Sequence, residues 1–386
     1  MSLRELAIRA AYILPALVIR ALGWRLLRLT NVHRIGHLAG EVDCLVKEER
    51  LGLFPRMKAL LLAPRGGVAN EHLVAYWSQL ARTVRTPWHC RLLAPVNRFR
   101  FVRMRDDMAS YVAAVNRTAE SMRIQKLWGQ RPGVLQLTGE DLARGVDRLR
   151  DLGVPSGARF VCFHSREGGY SPGDEHLHDF RNTSVANYLA AAAALYEHGI
   201  YSIRLGDPSM KKLPPLPGVV DYAHSALRAD WMDVFLCARG EFFLGNSSGL
   251  SFVSGAFGRP CVLGNLIPFS GAFPYGAKDI GIPKLLWSRQ AQRLLGFAEI
   301  LDSEVADFRF SVLYEERGIE VRENTAEEIR DLALEMLARL EGRGQYSRED
   351  EALQERFRAL MRPGHFSYGS AARVGRDFLR KYRHLL

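Results

Sequence analysis

Along most of the chain, short runs of consecutive apolar residues lead into a glycine-bearing turn and then into apolar positions spaced three and four apart. Met57–Pro64 (MKALLLAP) predicts a buried strand, Arg65-Gly66-Gly67 its turn, and Asn70–Arg82 (NEHLVAYWSQLAR) a helix. Just upstream, NVHRIGHLAGEVDCLVKE predicts a short strand ahead of Gly36, a loop, and a helix near Glu41–Lys47. A Gly/Pro/Ser cluster at Gly153–Ala158 suits a linker, and beyond it the alternation resumes. ARFVCFHSR reads as strand and loop, SVANYLAAAAALYEHG as a helix closed by Gly199, and IYSIRLG and GVVDYAHS as strands. DWMDVFLCAR reads as a helix capped by Asp230, EFFLG as a strand, SGLSFVSGAFG as a helix and RPCVLGN as a last strand. From Ala326 onward the pattern is helical. Strand, loop and helix in series imply parallel sheets. The expected fold is α/β: two doubly wound domains, 31–152 and 153–322, with a cleft between them, then helices over 323–386.

The N-terminal stretch departs from this pattern. Leu6–Leu29 is apolar, but its uninterrupted run Ala10–Ile19 has ten residues, short of the roughly 20 that span a bilayer. Arg20, Arg25 and Arg28 stand where a signal-peptide cleavage site needs small residues. Residues 1–30 therefore read as an amphipathic helix, kinked at Pro15, that lies on a membrane surface or packs on the protein's own core. The balance of 53 Lys+Arg against 42 Asp+Glu gives a net charge of +11. Such a surplus favours an anionic partner: nucleic acid, an anionic membrane or a phosphate-bearing substrate. With no run of five like charges and no zinc-finger or RNA-binding signature, nucleic acid is not expected. Five scattered cysteines indicate free thiols in a reducing cytoplasm rather than zinc ligands.

Candidate chemistry gathers in the second half, at the carboxyl ends of predicted strands, where open α/β sheets bind ligands. HSREGGY carries Arg166 and Gly168-Gly169; DFRNTS carries Arg181 and Asn182, with Thr183 or Ser184 as helix cap. IRLGDP places Arg204 and Gly206 at a strand end, and VDYAHSALRADWMD offers Asp221 and Tyr222 to bond to or stack on a base. In GNSSG, the N–H groups at Ser248 and Gly249 open a helix, with Ser247 beside them, a setting suited to a diphosphate. The same string, Gly245-Asn246-Ser247-Ser248-Gly249, also matches the G-x-S-x-G elbow of serine hydrolases. The only histidines after it, His365 and His384, lie in the tail, which disfavours a triad. Turn and capping chemistry is the plainer alternative. In the first half, Gly36-His37-Leu38-Ala39-Gly40-Glu41 sets His37 at a loop, a candidate general base for an acceptor hydroxyl, with Glu41 second. A structurally bonded histidine is the alternative there. Asp106-Asp107 does not form the D-x-D of a metal-dependent transferase, so no metal or other cofactor is expected.

The segments FVCFHSREGGY, DFRNTSVANYLAAAAALYEHGIYSIRLGD, VVDYAHSALRADWMDVFLCARGEFFLGNSSGL and GRPCVLGNLIP, in this order, resemble a family of bacterial GT-B glycosyltransferases found in surface-polysaccharide and glycan loci. The resemblance covers much of Arg34–Pro268, and RIGHLAGE fits the family's N-terminal pattern. It implies two Rossmann-like domains, a nucleotide-sugar donor bound mainly by the second, and a lipid-linked or surface-glycan acceptor. It also implies work at the cytoplasmic face of the inner membrane. The Ser-Gly-helix element is similar to the donor-phosphate loop of heptosyltransferases, but where those carry an acidic residue this chain has Ser247. An acidic donor contact does not carry over. A nucleotide-sugar epimerase would keep the same phosphate loops without an acceptor, and a non-catalytic glycan- or nucleic-acid-binding protein would need neither.

Overall fold

The computed structural model describes residues 2–27, 31–53, 58–103, 115–168 and 175–386. Asp106-Asp107, Gly169 and Tyr170 lie outside the described residues. The chain divides into two compact units, Met1–Arg117 and Thr118–Leu386.

The first unit runs α1 (Leu3–Ala21), β1 (Trp24–Leu27), α2 (Ile35–Arg50), β2 (Lys58–Leu62), α3 (Glu71–Trp77), β3 (Arg82–Val84) and α4 (Pro87–Leu93). Its strands pair in parallel in the order β1-β2-β3. Three expectations change here. The N-terminal helix ends at Ala21, because Gly23 takes φ 77° and the next residues bury Leu26 and Leu27 beside β2. No strand forms just ahead of Gly36: α2 begins at Ile35, and its spacing Leu38, Val42, Leu45 buries one helical face. The helix expected through Arg82 stops at Trp77, since Arg82–Val84 is taken up as an edge strand on β2. Pro15 stands inside a continuous α1.

The second unit holds most of α5 (Val115–Trp128), then α6 (Gly139–Asp151), β4 (Arg159–His164), α7 (Glu175–His178), α8 (Ala186–Glu197), β5 (Ile200–Arg204) and β6 (Val219–Val220). There follow α9 (Asp230–Arg239), β7 (Phe243–Gly245), α10 (Gly249–Ala256), β8 (Cys261–Leu266) and β9 (Ile280–Pro283). The rest is β10 (Leu285–Ser288), β11 (Arg293–Leu294), α11 (Phe297–Leu301), α12 (Ser311–Glu316), β12 (Ile319–Arg322), α13 (Ala326–Leu340), α14 (Arg348–Ala359), β13 (Arg373–Val374) and α15 (Arg376–Lys381). Seven strands form one parallel sheet in the order β13-β9-β8-β7-β4-β5-β6. RPCVLGN is thus not the last strand: β9 and β13 extend the sheet beyond it. β10, β11 and β12 make a small antiparallel sheet.

Helix α6 packs on α9, close enough that a Cβ on Gly145 would stand 2.2 Å from the Phe235 ring. Two helix starts differ from expectation. Ala229, fixed by its N–H bond to the Tyr222 hydroxyl, is the cap of α9, and Asp230 instead follows it at the helix's positive end. Val185 precedes α8, leaving Thr183 and Ser184 outside the helix. Because the sheet is parallel, His164, Arg204, Gly245 and Pro283 all end strands on one edge.

Candidate functional site

Asn246, the residue after β7, organises that edge. It is 1% exposed. Its Oδ1 accepts the Arg166 N–H at 3.2 Å, and its Nδ2 donates to Arg181 O and to Thr183 Oγ1, both at 3.3 Å. Thr183 N–H donates to Arg166 O at 2.9 Å, and Ser165 Oγ lies 2.8 Å from both Thr183 O and Thr183 Oγ1. Arg181 Nη2 donates to Ser247 O at 3.1 Å. One side-chain amide thus draws together the loops bearing Arg166, Arg181 and Ser247. An asparagine in a turn reads as turn chemistry, so sequence reasoning passed over it.

Ser248 takes the cap position of α10 with extended backbone, φ −123° and ψ 160°, yet its side chain makes no cap bond. Its Oγ is buried and, among the described residues, has no hydrogen-bond partner, an expensive state for a hydroxyl. Ser251 Oγ donates to the Ser248 carbonyl at 2.7 Å. Gly249 begins the helix, so its N–H belongs to the first turn, where helical amides lack intrahelical acceptors. On the neighbouring strand, His164 Nδ1 bonds to Leu205 O at 3.0 Å, and burial, with the Arg204 and Arg166 charges, holds its pKa down.

Several predicted contacts serve the protein itself. Arg204 is 0% exposed; it pairs with Glu167 at 2.8 Å and Asp221 at 3.4 Å and also donates to Lys211 O. Asp221 Oδ2 accepts the Leu213 N–H at 2.9 Å. Tyr222 is enclosed in the core rather than presented for stacking, its hydroxyl accepting from Ala229, and burial pushes its pKa up. Asp233, beside it, is raised to about 6 by the same burial. Gly206, at φ 147°, admits Met210: a Cβ there would stand 2.1 Å from Met210 Sδ. The hydrolase alternative also meets a specific obstacle. His365 Nδ1 accepts the Arg362 N–H and its Nε2 faces Leu301 O, so both nitrogens are engaged away from Ser247.

Sequence reasoning missed Lys284. It follows β9, is 3% exposed, and its Nζ donates to the Asn182 carbonyl at 2.7 Å. A single cation between the apolar runs DIGIP and LLW was the available signal.

In the first unit, His37 lies in the first turn of α2, and its Nδ1 is 3.4 Å from Glu41 Oε1. One turn further, Lys47 pairs with Asp43 at 2.7 Å, both nearly buried. α1 turns Tyr12, Ala16 and Ile19 toward its own core. On the opposite arc Leu3, Leu6, Leu14, Leu17, Val18 and Leu22 are all exposed, and Arg4, Arg9 and Arg20 fall on its borders. Among the described residues no helix is long and apolar enough to cross a membrane, and no group of three or more His, Cys, Asp or Glu is placed to hold a metal ion.

No family model matches the chain, and no curated protein matches it. Among solved structures it is similar to a glycosyl transferase family 9 protein from Veillonella parvula, with 13% identity, 80% of each chain covered and a TM-score of 0.39. It is also similar to E. coli ADP-heptose lps heptosyltransferase II, with 14% identity, 68% of this chain and 90% of that one covered, and a TM-score of 0.42. For E. coli heptosyltransferase WaaC with ADP the values are 14% identity, 76% and 99% coverage, and a TM-score of 0.33.

Proposed function

We propose that this protein is a glycosyltransferase of GT-B type that takes a nucleotide-diphosphate sugar at the carboxyl edge of the second unit's sheet. The observation that carries the reading is the Asn246-centred network, which gathers the Arg166 and Arg181 loops beside the first turn of α10, where Ser248 Oγ is buried without a partner among the described residues. Two arginines and a helix N-terminus form an anion site, and a serine hydroxyl in want of a partner adds a donor. As the sugar leaves, negative charge grows on the diphosphate, and donors already held in position stabilise it without reorganising. Arg204, paired with Glu167 and Asp221, braces the loop that bears Arg166.

The acceptor hydroxyl needs a base. His37 with Glu41 on its Nδ1 supplies one: the carboxylate orients the ring and stabilises the imidazolium, and Nε2 takes the proton. The acceptor is a lipid-linked or surface glycan. The apolar outer arc of α1, bordered by arginines, supports seating on an anionic inner-membrane surface, with the leucines among acyl chains and Arg4 and Arg9 at the headgroups, while Arg20 donates to Phe101 O.

A thermal-shift panel of UDP-, GDP-, ADP- and dTDP-sugars tests the donor reading. At least one should stabilise the parent, and Arg166→Ala and Arg181→Ala should abolish that shift; a parent stabilised by none contradicts the reading. His37→Ala should keep the shift and lose transfer by about a hundredfold or more.

A further inference from the structure

Lys284 is a buried cation that, among the described residues, makes no ion pair. Its ammonium carries three donors, yet among the described residues its hydrogen bonding is confined to the neutral Asn182 carbonyl at 2.7 Å, and no carboxylate pairs with it. The charged groups that face it are Asp179, from the segment before α8, and Glu323, from the segment before α13. Neither is in ion-pair contact with it: Glu323 Oε2 accepts from Ser184 N–H at 2.9 Å and Asn187 Nδ2 at 2.8 Å, and Asp179 Oδ1 accepts from Ser311 Oγ, so both act on the ammonium only at longer range. Buried ammonium groups are ordinarily paired, because an uncompensated charge in a low dielectric is costly.

Its place in the fold says what the missing charge is. Lys284 stands one residue past the carboxyl end of β9, and the carbonyl it holds lies between Arg181 and Thr183, two of the three residues bonded to the Asn246 side chain. We infer that Lys284 is a phosphate-binding residue, whose counter-ion is an oxyanion of the ligand's diphosphate bound over the Asn182 segment. The inference rests on the donor-site reading. It adds a consequence that reading lacks: burial holds the Lys284 pKa down to about 8 against the pull of Glu323 and Asp179. An arriving oxyanion raises it, so ligand binding near pH 8 takes up a proton.

The test uses the full-length chain, titrated calorimetrically at pH 8 with UDP, GDP, ADP and inorganic pyrophosphate in two buffers of different ionisation enthalpy. The parent should take up about half a proton on binding. Lys284→Met should bind at least about tenfold more weakly with no uptake, while its ligand-free melting temperature holds or rises, since methionine replaces an unpaired charge. Lys284→Arg should keep most of the affinity without the uptake, its group being charged throughout. Uptake absent in the parent, or affinity and uptake unchanged in Lys284→Met, overturns the inference. So does a Lys284→Met variant that melts earlier and keeps its affinity, for Lys284 is then a clamp on Asn182. A parent that binds pyrophosphate through Lys284 but no nucleotide keeps the inference and overturns the nucleotide reading, and one that binds neither overturns both.

Discussion

Arg204 and Lys284 stand at the carboxyl ends of β5 and β9 in the same sheet, and both are almost without exposure, 0% and 3%. Arg204 lies against Glu167 and Asp221 and ties three loops together. Lys284 has for its partner a carbonyl oxygen. A guanidinium enclosed with two carboxylates has its charge balanced within the fold, and its ion pairs serve the architecture. An ammonium bonded to a neutral acceptor, with its nearest acids out of ion-pair contact, is left short of compensation, a state that marks a candidate ligand site. Burial alone does not separate a structural cation from a functional one; the charge of its neighbours does.

Removing Arg204 gives the largest effect that contrast predicts. Arg204→Met strands Glu167 and Asp221 and should cost about 3–5 kcal/mol in urea unfolding; a loss below about 1 kcal/mol would erase the distinction. A pH series on Lys284 comes next. Its folded pKa, about 8, lies below the ordinary 10.5, so between those values the unfolded chain binds more protons and stability rises with pH. Below pH 8 both states carry the charge and the burial penalty is constant. The parent should therefore gain on the order of 2–3 kcal/mol over Lys284→Met between pH 7 and 10.5, and parallel curves would place Lys284 with Arg204. Asn246→Ala tests the network beside the carbonyl that Lys284 holds. Loss of its amide removes the acceptor of the Arg166 N–H and the donor to the Arg181 carbonyl, costs about 2 kcal/mol, and should weaken nucleotide binding about tenfold. The smallest stability effect belongs to α1: Leu14→Ser with Leu17→Ser, at residues 68% and 48% exposed, should alter folding by at most about 0.5 kcal/mol. The same pair should reduce flotation with anionic vesicles, and unchanged flotation would remove the membrane-seating proposal.

The sequence carried most of the strand and helix order of the second unit, because its buried strands are runs of apolar residues and its helices keep their period. It did not carry β3 or β13, three and two residues long, whose pairing depends on a neighbouring strand rather than on their own pattern. The arginine at the end of IYSIR was visible, but its partners Glu167 and Asp221 are 37 and 17 residues away, so its burial was not. Tyr222 and Gly206 stood out for chemistry and proved to be packing, since a ring and a missing Cβ fill space as readily as they meet a ligand. Ser248 holds the cap position without making the cap bond, which no pattern of residue types encodes.

The central claim is that the carboxyl edge around Asn246 receives a diphosphate. Backbone hydrogen exchange of the full chain, with and without a saturating nucleoside diphosphate, tests it most directly. The account predicts slowed exchange at Arg166, Thr183 and the first-turn amides of α10 from Gly249 to Ser251. Protection confined to other segments, or none, would contradict it.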